Sequence, residues 1–335
     1  MRRGGIKVIQ LKGIHHVTAI SSSAEKTYDF FTYVLGMRLV KKTVNQDDIQ
    51  TYHLFFADDI GSPGTDMTFF DFPGIPKGKH GTNEISRTSF RVPSDKALEY
   101  WEKRFERLEV EHFGIQEKFG KKVLPFIDED EQHYQLISDE HNVGVSPGKP
   151  WEKGPIPLEY AIRGLGPIFI RVQTFEPFKQ MLEQVLFYEK VGQEGNFHLL
   201  ETGEGGNGAQ IIVEEDITQP VALQGYGTVH HVAFRVENQE ELAQWEKHLN
   251  SFRIPNSGYV ERYYFGSLYM NVAPHILFEL ATDGPGFMED EPYETLGEKL
   301  SLPPFLEPKR FQIEEAVRTI DTVRSTKEFV KEYEE

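Results

Sequence analysis

The chain has 335 residues and a formal charge of −17, with 36 Lys and Arg against 53 Asp and Glu. That balance excludes a nucleic-acid groove, which needs clustered cations along a phosphate backbone. With 39% apolar and 13% aromatic residues the composition is that of a globular protein, and the length allows two full cores. Cysteine is absent, so disulfides, thiolate metal sites and a cysteine nucleophile are excluded, and any transition-metal site must use imidazoles and carboxylates. No apolar run approaches the roughly 18 residues of a membrane span, and no signal peptide follows the basic start, so a cytoplasmic location without a membrane partner is expected.

Four units follow one another, each read as a strand, a helix and further strands. The first opens with Ile14–Ile20. Its helix, near 24–35, is capped by Ser22 or Ser23 and stopped at Gly36. Strands follow near 38–45, 51–57 and 67–72. The second opens near 87–92 and has a helix near 95–108 capped by Ser94, then strands near 111–118, 121–128 and His133–Ser138. Residues 141–158 hold four prolines and read as a linker. The third opens near 166–172, with a helix near 175–185 and strands near 197–202 and 209–214. The fourth opens G-T-V-H-H-V-A-F-R-V from Gly227, with a helix near 239–250 and a late strand H-I-L-F-E-L-A-T-D-G-P-G from His275. After Gly286 the chain is acidic and proline-rich, with a last helix expected near 311–323, in a tail that packs across a domain face.

Gly203, Gly205 and Gly208 spell G-x-G-x-x-G. That pattern holds a dinucleotide only where a helix follows and offers its N-terminal amides to the pyrophosphate. A strand-like stretch follows here, so the reading is a glycine-rich hairpin.

The chemistry concentrates in the first and fourth units. Glu279 lies between Phe278 and Leu280 in an apolar strand, where a carboxylate is costly unless paired; a solvent-facing position on a half-buried strand is the alternative. His231 sits in the His-His-Val of the fourth opening strand, and His16 repeats that pattern in the first. Two His and one Glu on separate strands match the two-His-one-carboxylate set that leaves positions open on Fe(II). Aligning the opening strands on their last Val sets Arg87 opposite His231 and Pro167 opposite His16. Aligning the late strands sets Ile137 opposite Glu279. One site therefore keeps its ligands and a second has lost them.

The H-H-V-x-A strands with the F-E-L-A-T-D-G-P-G ending resemble the vicinal oxygen chelate superfamily of glyoxalases, bleomycin-resistance proteins and extradiol dioxygenases. Over roughly residues 8–320 the chain is similar to bacterial two-domain, four-module proteins described as ring-cleaving dioxygenases, including a hydroquinone-specific group. The resemblance implies an α+β fold of four βαβββ modules paired into two half-barrel domains. Along the chain these are a first pair (8–145), a second pair (159–285) and a C-terminal tail with a helix (286–335). It also implies that each metal cup is shared by two modules, and the ligand pattern then pairs one with four and two with three. His16 and His231 are expected to point into the cup. His15 and His230 are expected on the outer face or behind the ligands, since successive strand residues face opposite sides.

By the same resemblance, Tyr269, on the strand before Glu279, stands where extradiol enzymes place a tyrosine against the metal-bound substrate oxygen; a packed strand aromatic is the plainer reading. His53 is the candidate acid/base behind the ligands, although His198 at the matching place of the third unit suggests a structural habit. Tyr264, Phe265 and Phe278 are expected to line a flat apolar pocket. The expected function is an Fe(II)-dependent dioxygenase opening a hydroquinone or catechol ring with O₂; Mn, Ni or Zn could stand in for the iron, and a homodimer is compatible with it. Two alternatives stand beside it: a glyoxalase-type isomerase with Asp71 as a fourth ligand, and a binding protein without catalysis.

Overall fold

Two curled eight-stranded sheets make up the computed structural model, which describes the backbone of residues 2–3, 6–7 and 9–333. The first sheet runs Val260–Glu261, Phe265–Ala273, Ile276–Pro285, Thr228–Val236, Ile14–Ile20, Asp66–Phe70, Tyr52–Ala57 and Arg38–Val44. The second runs Glu189–Glu194, Phe197–Glu201, Gln210–Glu215, Leu165–Val172, Glu84–Val92, His133–Ser138, Lys121–Ile127 and Gln116–Lys118. Module one thus shares a sheet with module four, and module two with module three. Each sheet is centred on two antiparallel opening strands, Val17 facing Val232 in one and Ile168 facing Thr88 in the other. The fold is α+β with few helices. Among the described residues none is long and apolar enough to cross a membrane.

The helices form where capping side chains and apolar faces coincide. Ser94 accepts from the Ala97 amide and Asn238 from that of Glu241, starting helices Asp95–Arg107 and Gln239–Ser251. These helices bury Trp101 and Trp245. Ser23 caps Ala24–Asp29, which continues as a π turn through Phe30–Val34. Phe175–Gln180 continues in the same way through Met181–Val185. Modules one and three therefore share one helix form and modules two and four another, the signature of a duplicated pair. Gly36 is required where the first helix stops: its φ is +64°, and an added Cβ would lie 2.3 Å from Ile156.

Each sheet turns one face to the helices and leaves the other concave. Val17, Val232, Phe278 and Leu280 join the apolar core. Phe278 packs against Phe234 at 4.9 Å between ring centres, so it lies on the core side and does not line the cup as expected. The reason is strand alternation: it is the neighbour of Glu279, which faces the other way.

Other expectations are corrected as well. An unexpected strand, Glu189–Glu194, closes module three; its exposed, charged side chains carry no apolar alternation. The strand placed near 111–118 is regular only at Gln116–Lys118. The last helix ends at Ala316 instead of reaching 323, because Tyr52 and Lys42 take the carbonyls of Arg318 and Ile320 as hydrogen-bond acceptors. Gly203, Gly205 and Gly208 lie in a connection between the antiparallel strands Phe197–Glu201 and Gln210–Glu215, a hairpin that passes through a single 3-10 turn at Asn207–Ala209 and leads into a strand, not an α-helix. The tail packs on the first sheet, burying Phe287, Leu296, Leu302 and Leu306 and holding the fully buried Lys41 between Asp290 and Glu291.

Candidate metal centre

His16, His231 and Glu279 converge on the concave face of the first sheet. Glu279 is opposite Ala233 on the parallel strand, and Ala233 is opposite His16 on the next. Three neighbouring strands thus deliver one donor each. The Nε2 atoms of the two imidazoles are 3.3 Å apart, and Glu279 Oε2 lies 3.2 Å from His16 Nε2 and 2.9 Å from His231 Nε2. All three side chains are buried.

The neighbouring histidines depart from simple alternation. The ladder between the opening strands slips twice, leaving His230 and His15 as the extra residue on each side. Such bulges re-aim side chains, and both histidines turn back to their neighbours. His15 Nδ1 meets His16 Nδ1 at 2.9 Å, and His230 Nδ1 meets His231 Nδ1 at 2.8 Å. Burial, with the adjacent imidazole, pushes His15 and His230 each down to about 3, so both are neutral. The Nε2–H of His15 donates to the Thr282 carbonyl at 3.0 Å, which leaves its Nδ1 as an acceptor. The proton in the His15–His16 contact must then sit on His16 Nδ1, and His16 Nε2 is the nitrogen turned to Glu279. His231 is paired through its Nδ1 in the same way and turns its Nε2 to the same carboxylate.

Burial raises the Glu279 carboxyl, but the imidazoles of His16 and His231 outweigh it and hold the group well below the usual carboxylate range. Its Oε1 accepts from Ser267 Oγ at 2.5 Å, whereas its buried Oε2 has no hydrogen-bond partner. The distances among the three donor atoms suit hydrogen bonds, yet Glu279 Oε2 makes none. Two imidazole nitrogens and a carboxylate oxygen turned to one point are the donor set of a cation. Donors about 2.1 Å from one ion and at right angles to one another stand about 3.0 Å apart, close to the observed triangle. The residues present fit a divalent metal.

Tyr269 faces Glu279 directly across the hairpin, and its oxygen accepts from Arg262 Nε at 3.1 Å, with Arg262 also bound to Asp47. Burial pushes the Tyr269 phenol above its ordinary value, so it is protonated with its O–H free of the arginine bond. His53 lines the same cavity, its Nε2 2.9 Å from Thr68 Oγ1, which in turn is 2.7 Å from Thr18 Oγ1. Burial and the nearby His16 and His231 hold His53 well below the ordinary imidazole value. The cavity is about 330 Å³, with Phe55, Phe70, Tyr264 and Phe265 among its walls. That volume is near the lower end for small-molecule sites.

Asp71 is elsewhere. It accepts from the Tyr52 amide at 2.8 Å and pairs with Arg318 at 3.0 Å, outside the donor cluster. His198 does not match His53 either: its ring stacks on Phe175 at 3.6 Å, and Phe197 occupies the equivalent register position. The late strands also align differently from the sequence expectation. Glu279 faces Ala233, and in the second sheet the residue facing the equivalent Ser89 is Gln135, not Ile137. Ser267 and Arg262 escaped sequence reasoning. Ser267 could have been found as the residue two before Tyr269 on the same strand face, whereas Arg262 lies before a strand and left no signal.

A family model described as Glyoxalase/Bleomycin resistance protein/Dioxygenase superfamily matches residues 13–288. The chain is 44% identical over 317 residues to "Putative ring-cleaving dioxygenase MhqA" of Bacillus subtilis strain 168, covering 93% of this chain and all of that one. It is 29% identical to "Chlorohydroquinone/hydroquinone 1,2-dioxygenase" of Sphingobium indicum, covering 89% and 93%. A crystal structure described as a "putative dioxygenase" from Bacillus subtilis superposes with a TM-score of 0.86 at 35% identity, covering 96% and 100%.

Proposed function

The chain belongs to the glyoxalase/bleomycin resistance protein/dioxygenase superfamily, and we propose that within it this protein is an extradiol-type dioxygenase that opens a dihydroxylated aromatic ring, hydroquinone or catechol, with O₂. The observation that carries the reading is the buried triangle of His16 Nε2, His231 Nε2 and Glu279 Oε2 beneath an apolar-walled cavity. The names of the relatives support the same chemistry. His16, His231 and Glu279 would hold Fe(II), which when bound would supply the redox coupling between a dihydroxylated ring and O₂ and keep positions open for both.

The remaining groups act on substrate and protons. Phe55, Phe70 and Phe265 form walls against which a flat ring packs and water is excluded. Tyr269 has a phenol proton free to point at a substrate oxygen, because Arg262 already occupies a lone pair of its oxygen. Neutral His53, anchored through Thr68, accepts or returns a proton at the ring nitrogen Thr68 leaves free. Ser267 and the His15 and His230 pairs keep the three donors aimed at one point.

The test is oxygen uptake by protein purified without oxygen and loaded with Fe(II), against a panel of catechols and hydroquinones. About one O₂ per ring is expected with at least one substrate, and none in a Glu279→Ala variant. No uptake by metal-loaded protein with any of the panel would refute the reading.

A further inference from the structure

The second sheet keeps a cup of its own, built by the same strand geometry and with other residues. Its cavity, about 340 Å³, is as large as that of the metal centre. Strand register relates the two position by position. Arg87 stands where His231 stands, Gln135 where Glu279 stands, and Pro125 where Tyr269 stands. Pro167 replaces His16, so the metal-ligating set is gone. The concavity has nevertheless been kept open and is not filled with apolar side chains.

The replacements are not chemically neutral. Among the described residues the Arg87 guanidinium has no carboxylate within ion-pair distance. Its single hydrogen bond, from Nη1 to Gln135 Oε1, is long at 3.5 Å. It rests against the Phe169 ring at 5.0 Å. Gln135 is 1% exposed, and its Nε2 has no hydrogen-bond partner. A cation and an amide donor, both lining the cavity, are therefore under-used. The carboxylates there are mostly engaged: Arg171 holds Glu84 at 3.2 Å and Glu214 at 2.7 Å, and His80 also contacts Glu84. Glu117 is exposed at the rim, and Lys118 reaches over Phe197 at 3.6 Å. A half-buried guanidinium without an anionic partner costs stability unless something pairs with it.

We propose that this second cup binds a small carboxylate carried on an apolar or aromatic body, Arg87 and Gln135 receiving the carboxylate and Phe169, Phe197 and Pro125 the body. Arg87 there supplies as a fixed charge what a metal ion would supply in the other cup. The planar guanidinium fork suits a carboxylate edge-on. The apolar walls distinguish a ring-bearing acid from a bare inorganic anion.

The experiment titrates the full chain with benzoate by calorimetry and by thermal shift. One saturable site per chain is expected. Its affinity should fall by at least about tenfold in Arg87→Gln, the loss of a charge-assisted pair, and stay unchanged in Glu279→Gln, which alters only the metal cup. Inorganic phosphate should bind at least about tenfold more weakly than benzoate. Because Arg87 has no carboxylate to abandon, Arg87→Gln without ligand should melt no lower than the parent; were it to unfold, Arg87→Lys would decide, keeping the charge and still losing affinity. Absence of saturable binding, equal affinity in the Arg87 variants, loss of binding in Glu279→Gln, or phosphate binding as tight as benzoate would each overturn the proposal.

Discussion

Glu279→Gln separates a metal-holding role from a structural one because only the first makes stability depend on metal. The carboxylate is fully buried, accepts from Ser267 through Oε1, and turns Oε2 to two imidazole nitrogens at 3.2 and 2.9 Å. An amide of the same shape keeps the acceptor for Ser267 and can still hydrogen-bond an imidazole nitrogen. Metal-free Glu279→Gln should therefore stay within about 1 kcal/mol of the metal-free parent, the scale of one hydrogen bond. For 335 residues the unfolding entropy is about 0.7 kcal/mol per degree, so this corresponds to about 1.5 °C in Tm. The parent protein should instead gain about 2.7 kcal/mol, or about 4 °C, from a divalent metal at a hundred times its Kd. The variant should show no such gain. The assay is differential scanning fluorimetry without oxygen, on chelated protein with and without Fe(II), Mn(II) or Zn(II). A variant that melts lower than the metal-free parent and still responds to metal would refute the argument, and Glu279 would be a structural carboxylate.

Tyr269→Phe should bind metal and substrate nearly as the parent does while kcat falls by about a hundredfold, the scale of one positioned proton donor; parent-like turnover would make Tyr269 a packing residue and His53 the next to test. Lys41→Met should cost about 3–5 kcal/mol in urea unfolding, because it strands Asp290 and Glu291 after removal of their buried cation. Acid should destabilise the fold partly through His133, which burial, His80, Arg87 and Arg171 push down to about 4 while Glu131 opposes them. The unfolded chain takes up that proton near pH 6.5 and the folded one only near 4, so stability is lost as pH falls through this window, by at most about 3 kcal/mol. His133→Gln should flatten the urea midpoint between pH 7 and 4.5; an unchanged pH slope would exclude this histidine.

Local chemistry was enough, in the sequence, to mark the helices and the three donor residues. Ser94 stands before an amphipathic run, and caps act within one turn. Glu279 stands out because a carboxylate between Phe278 and Leu280 conflicts with its apolar strand. The repeated His-His-Val pointed to two related strands, though not to the reason both histidines matter. Strand alternation sent His15 and His230 to the other face, and only the slipped ladder between modules one and four turns them back to hold His16 and His231. The same non-local register decided that Gln135, two residues from the expected Ile137, replaces Glu279, and that Phe278 faces the core. Arg262, brought to Tyr269 by the chain's path outside the regular strands, could be known only once folded. Side-chain type and spacing act over a turn or a strand. Which side chains meet across a sheet depends on bulges and pairings between segments more than two hundred residues apart, where a shift of one residue reverses every face.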